Sequence, residues 1–337
     1  MKIMKFKNLI YCGLLAGLLL AFGSCSSDDP IGGSEITIED DYVLPQKGAS
    51  DADNARIKAL YDKYGAYFLY DYTQKDVFWT QVTGLASNGN RVAVANMGNA
   101  QNVGAMLDYL NEIWFQFFPD EILKKGGIPY RVFLTDSVYM KRDWGDGNIQ
   151  KFVYPGNFLI TGNSIAIGPM DQLATMDAAT KKTNCISLIS GSSGYTGLWD
   201  YYIAQGIIDV PDEFYSYSDY ETEPEMTATT SWGHTSYSFS AEQLEKYRNR
   251  GFLPNWSQWG YFSEWFYKYS ATNHNWANAK SYDLKCYMGW LFNGTDEQLQ
   301  NYCDQYPTVK QKFECLENYY KNKYGIDIRA IANYQFE

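Results

Sequence analysis

Histidine is nearly absent from this chain of 337 residues, which has only His234 and His274. They lie 40 residues apart, so they cannot form a His-x-x-x-His pair on one helix, which is a common way to hold zinc. Basic residues are also few, since 28 Lys and Arg stand against 39 Asp and Glu, for a net charge of −11. This balance opposes the counterion release that drives nucleic-acid binding. We therefore expect no nucleic-acid partner.

Long apolar runs and zinc-type cysteine pairs are missing as well. After residue 22, no apolar stretch approaches the roughly 18 residues that a membrane-spanning helix needs. None of the six cysteines has the Cys-x-x-Cys spacing of a zinc ribbon. Four cysteines follow the N-terminal region, and an exported chain could join them in any of three pairings. They are Cys185, Cys286, Cys303 and Cys315.

The first 24 residues have the pattern of an export signal. Three lysines within the first seven residues precede an apolar run, LIYCGLLAGLLLAF, and small residues then lead to Cys25. This pattern predicts a secretory signal peptide over residues 1–24. The sequence FGSC resembles a bacterial lipoprotein cleavage site, which would make Cys25 the lipidated first residue of the mature protein.

The acidic sequence SSDDP after Cys25 resembles the export tag of surface lipoproteins in Bacteroides-type bacteria. It predicts an outer-membrane protein that is anchored by lipid on Cys25 and faces the exterior. Residues 25–48 are polar and contain Gly and Pro, which indicates a lipid anchor followed by a linker. We expect folded structure from about Ser50, as a single domain over residues 49–337.

Hydrophobic periodicity predicts an α+β fold, with a mixed helix and strand part that holds a small sheet and a helical C-terminal part. Strands are predicted at 67–70, 78–82 and 130–135, with a hairpin over 158–167. A long surface loop is predicted at 216–240. Helices are predicted at 50–64, 102–118, 195–208, 257–269 and 281–292, then after a capping box at Thr295 and from Pro307 to Gly325.

Three segments of the chain resemble the zinc-binding metallopeptidase lipoproteins of Bacteroidetes. They are residues 63–81 (KYGAYFLYDYTQKDVFWTQ), 209–220 (DVPDEFYSYSDY) and 291–331, which begins LFNGTDEQL. The resemblance implies a zincin-like fold. In that family one helix carries His-Glu-x-x-His, because residues i and i+4 share a helix face where two imidazoles can hold Zn²⁺ while the glutamate activates the bound water.

The metal ligands that this resemblance implies are missing here. Counted back from Pro211 and Phe214, the motif falls on the sequence LWDYY, so its ligand positions are Leu198 and Tyr202 and its glutamate position is Trp199. Neither Leu nor Trp offers zinc a donor atom, and Tyr is a poor replacement for His. The resemblance therefore predicts a degenerate metal site.

The family's third ligand comes from a later helix, for which two alignments compete. One places it at Glu264 and keeps a carboxylate. The other, preferred because it leads directly into LFNGT, places it at Lys285, where a cation replaces the ligand. An unorthodox metal site built from His234 and His274 with Glu264 or Asp283 is a further alternative, and paired carboxylates for glycoside hydrolysis stay open.

Tryptophans and tyrosines are abundant, and exposed aromatic rings can stack on sugars or anchor peptide side chains. Trp265 and Trp290 are predicted to lie in the core. Four tryptophans beside polar residues are candidate ligand-binding aromatics: Trp232, Trp256, Trp259 and Trp276.

These features together predict a surface lipoprotein that lacks catalytic residues and a cofactor and binds a peptide or a glycan as an accessory protein. The alternative is an active metal-dependent peptidase with an unorthodox site, for which the cofactor would be zinc. A purely structural surface protein is a third interpretation. It would be favoured if Trp199, Tyr201 and Tyr202 filled the cleft.

Overall fold

The computed structural model of the chain describes residues 42–78, 91–143, 149–191, 196–223, 225, 227–231, 234–238, 240–254, 256 and 279–337. The strands are β1 (Tyr67–Leu69), β2 (Arg91–Met97), β3 (Arg131–Asp143), β4 (Ile149–Val153), β5 (Phe158–Thr161), β6 (Ser164–Ile167), β7 (Thr227–Ser231) and β8 (His234–Ser238). The helices are α1 (Asp51–Tyr64), α2 (Gln74–Val77), α3 (Val103–Ile113), α4 (Ala178–Ser190), α5 (Leu198–Ala204), α6 (Asp212–Ser216), α7 (Ala241–Asn249), α8 (Ala279–Asn293), α9 (Asp296–Gln305), α10 (Pro307–Tyr324) and α11 (Ile328–Asn333). Shorter helical turns lie at Ala100–Asn102, Phe115–Phe117, Asp120–Ile122, Leu123–Gly127, Pro155–Asn157 and Leu173–Thr175.

Strand β3 organises the sheet, because its two halves pair with different neighbours. The first half runs parallel to β1 and β6, so that Phe133 lies opposite Leu69 and Ala166. The second half runs antiparallel to β2 and β4, so that Tyr139 lies opposite Val94 and Val153. Strand β5 completes the sheet as the antiparallel neighbour of β6. The sheet with its flanking helices confirms the α+β prediction, and its zincin-like form stays a prediction.

Several helices begin and end where local signals in the sequence place them. Ser50 caps α1 by accepting a hydrogen bond from the Asp53 backbone N–H, and Gly65 ends the helix with φ 68°. The predicted capping box of Thr295 opens α9. Helix α10 runs from Pro307 to a left-handed Gly325 with φ 68°. Among these helices, α10 carries the site described below.

One apolar core joins the sheet to the helices. Strand residues Phe68, Val132 and Ile165 are fully buried, and so are Leu110 of α3 and Leu188 of α4. The C-terminal helices extend this core, since α8 packs against α4 and α11, and α10 packs against α6, α7 and α9. Residues Leu44–Glu337 form one compact unit. Within the described residues, no helix is both long and apolar enough to cross a membrane.

A predicted loop and a predicted helix differ from the structure. The predicted surface loop at 216–240 is wrong in part, because it contains the antiparallel hairpin of β7 and β8, in which Thr227 lies opposite Ser238. Its strands are built mostly from threonine and serine, and the β-branched threonines favour extended backbone there without an apolar alternation. The predicted helix at 195–208 is shorter, ending at Ala204 before Gly206, which has φ 65°. The predicted strand at 78–82 lies mostly outside the described residues, and the predicted helix at 257–269 lies outside them entirely.

Candidate functional site

Helix α5 carries the residues at the positions that the family resemblance assigns to zinc ligands. Their side chains point into the core. Leu198 and Tyr202 are 0% exposed and Trp199 is 2% exposed. The Tyr202 hydroxyl accepts a hydrogen bond of 2.9 Å from Trp114 Nε1. The Trp199 ring packs edge to face on Tyr320, with ring centroids 4.6 Å apart. Tyr201 is 7% exposed, so the three aromatic rings of α5 are all buried.

These residues do not fit a zinc ion. Leucine and tryptophan offer no donor atom, and the hydroxyl of Tyr202 is already engaged by Trp114. Lys285 lies on the exposed side of α8, and its positive charge acts on Asp200 of α5. Burial raises the pKa of the Asp200 carboxyl, and the charge of Lys285 opposes this shift. Within the described residues, no three His, Cys, Asp or Glu side chains are grouped so that they could hold a metal ion.

The structure describes only some of the other predicted site residues. Trp256 is half-buried and packs edge to face on Trp290, with centroids 4.7 Å apart. Trp290 is buried at 9% exposure, as predicted. The backbone of His234 begins β8. Outside the described residues lie Cys25, Trp232, Trp259, Glu264, Trp265, His274 and Trp276.

The four cysteines among the described residues are free thiols in the structure: Cys185, Cys286, Cys303 and Cys315. Burial raises the pKa of Cys185 to about 12 and that of the half-buried Cys315 to about 11. The thiolate is the nucleophilic form of cysteine, so both side chains are weakly reactive thiols at neutral pH.

A fully buried ion pair between α8 and α10 is a feature that the sequence did not predict. Asp283 and Lys312 are both 0% exposed, and the Lys312 ammonium donates to Asp283 Oδ2. It also donates to Ser218 Oγ at 2.9 Å and to the Gly251 carbonyl at 3.1 Å. The hydroxyl of Tyr220 donates to the same Asp283 oxygen. The three protons of the ammonium thus have acceptors inside the protein.

Aromatic rings enclose this pair. The Lys312 Nζ lies 4.5 Å from the ring centroid of Phe214 and 4.8 Å from that of Tyr287. Phe252 and Tyr220 lie slightly farther away, at 5.2 Å and 5.5 Å. A cation over a ring face is stabilised by the ring quadrupole, most strongly where water is excluded. The enclosure leaves no path for a ligand, so we interpret the pair as structural.

Burial governs the electrostatics of the pair. It raises the pKa of the Asp283 carboxyl and lowers the pKa of the Lys312 ammonium, while each partner opposes the shift of the other.

A signal for this pair exists in the sequence. Lys312 lies on the same face of α10 as the apolar residues Val309, Phe313 and Leu316, all of which are buried. A lysine inside an apolar stripe indicates a buried cation that needs a partner.

An open groove with a volume of about 420 Å³ lies on the outer side of α10, beside α6. Amide, carboxylate and tyrosine side chains of one helical face contribute most of its lining. The lining residues are Glu213, Tyr217, Gln311, Glu314, Cys315, Asn318, Tyr319, Asn322 and Lys323. Sequence reasoning missed the groove, although the spacing of Gln311, Asn318 and Asn322 by seven and four residues places them on one face of a helix.

A polar cluster at one end holds the groove in shape. Asp209 accepts hydrogen bonds from Lys323 Nζ at 2.8 Å and from the Tyr324 hydroxyl at 2.6 Å, and also from the Tyr319 hydroxyl. Partial burial raises the pKa of Asp209, but these hydrogen bonds lower it by more, so the pKa of this carboxyl lies well below its usual range. The cluster ties the segment before α6 to the last turns of α10.

We expect the ionised Asp209 to stabilise the fold above about pH 4, the pKa of an aspartate in an unfolded chain. This contribution is lost as the pH falls through the lower pKa of the folded state. Because the Asp209 side chain is 59% exposed, the effect should stay below about 1 kcal/mol. Urea unfolding of the wild type and Asp209→Asn measures it, with the exposed Glu221→Gln as control. A difference in unfolding free energy that grows below about pH 4 would contradict the assignment.

A second hollow of about 300 Å³ lies beside α3, but its charged groups already have partners. Glu112 pairs with Lys181 at 3.0 Å, and Asp108 pairs with Arg56 at 2.5 Å. Asp171 accepts a hydrogen bond of 2.9 Å from Asn102. The groove on α10 therefore has more uncommitted polar groups to offer a ligand.

Comparisons with known proteins give one structural similarity. No protein-family model matches the sequence, and no curated protein matches it. A crystal structure from Bacteroides caccae ATCC 43185, of a protein provisionally named a zinc-binding metallo-peptidase, aligns with a TM-score of 0.36 and 11% identity. The alignment covers 84% of this chain and 91% of that chain. Membership of the family and the loss of its metal site stay predictions.

Proposed function

We propose that this protein is a surface lipoprotein of a Bacteroides-type bacterium that binds a peptide or a glycan and does not hydrolyse it. The burial of α5 supports the absence of hydrolysis, and the open groove on α10 favours a binding role over a purely structural one. At the positions where the resembled family would need two histidines and a glutamate, this chain has Leu198, Tyr202 and Trp199, and their side chains pack in the core. A zinc peptidase needs an open position at the metal for its substrate, and these side chains offer none.

The predicted anchor supports a role in capture. Lipid on Cys25 would hold the domain at the outer membrane, and a polar linker would let it reach ligands in the surroundings. Binding without hydrolysis would then raise the local concentration of a nutrient near the cell surface. The groove on α10 is open to solvent in the described part of the chain, so a ligand can enter it without any rearrangement.

The test compares metal content, hydrolysis and binding in one preparation of the full-length protein in detergent. We expect zinc well below one ion per chain, no cleavage of a peptide library, and binding to at least one probe on a peptide or glycan array. An active metal-dependent peptidase is the competing function. Stoichiometric zinc together with chelator-sensitive peptide cleavage would replace the proposed function with that one.

A further inference from the structure

The outer face of α10 carries three amide side chains that are not needed to stabilise the fold. Gln311, Asn318 and Asn322 are exposed and line the groove. None of the three side chains makes a hydrogen bond to another residue in the described part of the chain. Each amide offers both a donor and an acceptor, and the planar group can serve two neighbouring hydroxyls at once. This is the chemistry that recognises a polyhydroxylated ligand.

Two tyrosines frame these amides, and carboxylates hold both of them. Tyr217 donates its hydroxyl to Glu213, and Tyr319 donates its hydroxyl to Asp209. Lys323 additionally donates to the Tyr319 hydroxyl at 2.7 Å and lies 4.9 Å from the ring centroid. A ring held in place loses little conformational freedom when a ligand stacks on it, which favours affinity. The apolar face of a sugar ring is a suitable partner for such a tyrosine.

The negative charge of the groove also restricts the charge of a possible ligand. Glu213 and Glu314 line it, and Lys323 is already engaged by Asp209. The chain as a whole carries a net charge of −11. An anionic ligand would therefore meet repulsion from both the groove and the protein. The volume of about 420 Å³ falls within the range of roughly 300–1,000 Å³ that small-molecule sites have.

From these features we infer that the groove between α6 and α10 binds an uncharged oligosaccharide, with Tyr217 and Tyr319 against sugar faces and Gln311, Asn318 and Asn322 on its hydroxyls. The inference rests on the proposed function, of which it specifies the ligand class and the site. A peptide fits less well, because it would need apolar pockets for its side chains, and the groove lining has none beyond the tyrosine rings.

The experiment screens the full-length protein in detergent on an array of neutral hexose and N-acetylhexosamine oligosaccharides, with sialylated and uronic acid glycans included. The best neutral binder is then titrated by calorimetry. We expect Asn318→Ala and Asn322→Ala each to weaken binding about three- to tenfold, since each removes one hydrogen-bonding group. Tyr319→Ala should weaken it about tenfold or more by removing the stacking surface. Gln300→Ala, an exposed amide on α9 outside the groove, should leave the affinity unchanged.

The outcomes separate this inference from the proposed function. Neutral glycan binding that all three groove variants leave intact would overturn the groove as the site, while the proposed function would stand. Binding of peptides or anionic glycans alone would overturn the ligand class and again leave the proposed function. Binding of no probe at all would overturn both. Because Asn318 and Asn322 are exposed, their variants should fold, so a failure of Tyr319→Ala to fold would not spoil the test.

Discussion

Replacing Lys312 by methionine is expected to lower the free energy of unfolding by about 3–5 kcal/mol. The substitution keeps most of the side-chain volume and removes only the charge and its hydrogen bonds. Asp283 would then stay buried at 0% exposure with no cation beside it. Its Oδ1 atom already lacks a partner among the described residues, so Tyr220 alone would have to satisfy the carboxyl. Chemical denaturation followed by circular dichroism measures the loss.

A control variant and a double variant show whether the loss comes from breaking the ion pair. Lys310→Met changes a lysine on the same helix whose side chain is 54% exposed, and it should cost less than about 0.5 kcal/mol. Lys312→Met combined with Asp283→Leu removes both charges and should recover more than half of the loss, because replacing a whole buried pair is far less costly than breaking it. The Gly251 carbonyl keeps a hydrogen bond of 2.8 Å from Tyr287 in that variant. A single variant as stable as the wild type would show that the pair contributes nothing.

The parts of the fold that the sequence predicts well are those set by short-range signals. Ser50 and Gly65 mark the two ends of α1. Thr295 opens α9, and Pro307 and Gly325 mark the two ends of α10, as the sequence predicts. The hairpin of β5 and β6 likewise follows from Gly162 between two apolar runs. Strand β3 is longer than the predicted 130–135, because its second half is stabilised by β2 and β4. That pairing joins distant residues, and no local pattern reports it.

The candidate site was harder to predict for the same reason. Asp283 and Lys312 are 29 residues apart, and Tyr220 lies 92 residues before Lys312, so only the folded chain brings them together. The groove combines α10 with Glu213 in the first turn of α6 and Tyr217 just after that helix. Sequence pattern can indicate that a lysine lies on an apolar face or that three amides share another face. It does not indicate which elements cover the first face and flank the second.

Introducing two histidines at the positions that the family resemblance assigns to zinc ligands, by Leu198→His with Tyr202→His, is expected to unfold the domain rather than to create a zinc site. Both side chains are 0% exposed, so each imidazole would enter the core without a hydrogen-bond partner. Losing Tyr202 also removes the acceptor of Trp114 Nε1 and the edge-to-face contact with Phe118. The combined cost should exceed about 5 kcal/mol, which is comparable to the whole stability of many domains.

The control is Ala204→His on the same helix, where the side chain is exposed and the cost should stay below about 0.5 kcal/mol. Unfolding is followed by circular dichroism with and without added zinc, because a metal that binds only the folded state would raise the midpoint of unfolding. If α5 lay against an open cleft, zinc would restore the double variant. Because the rings of α5 pack on Trp114, Phe292 and Tyr320 instead, we expect zinc to have no effect. A folded double variant with one tightly bound zinc would show that α5 can accommodate a metal site, against the burial argument on which the absence of hydrolysis rests.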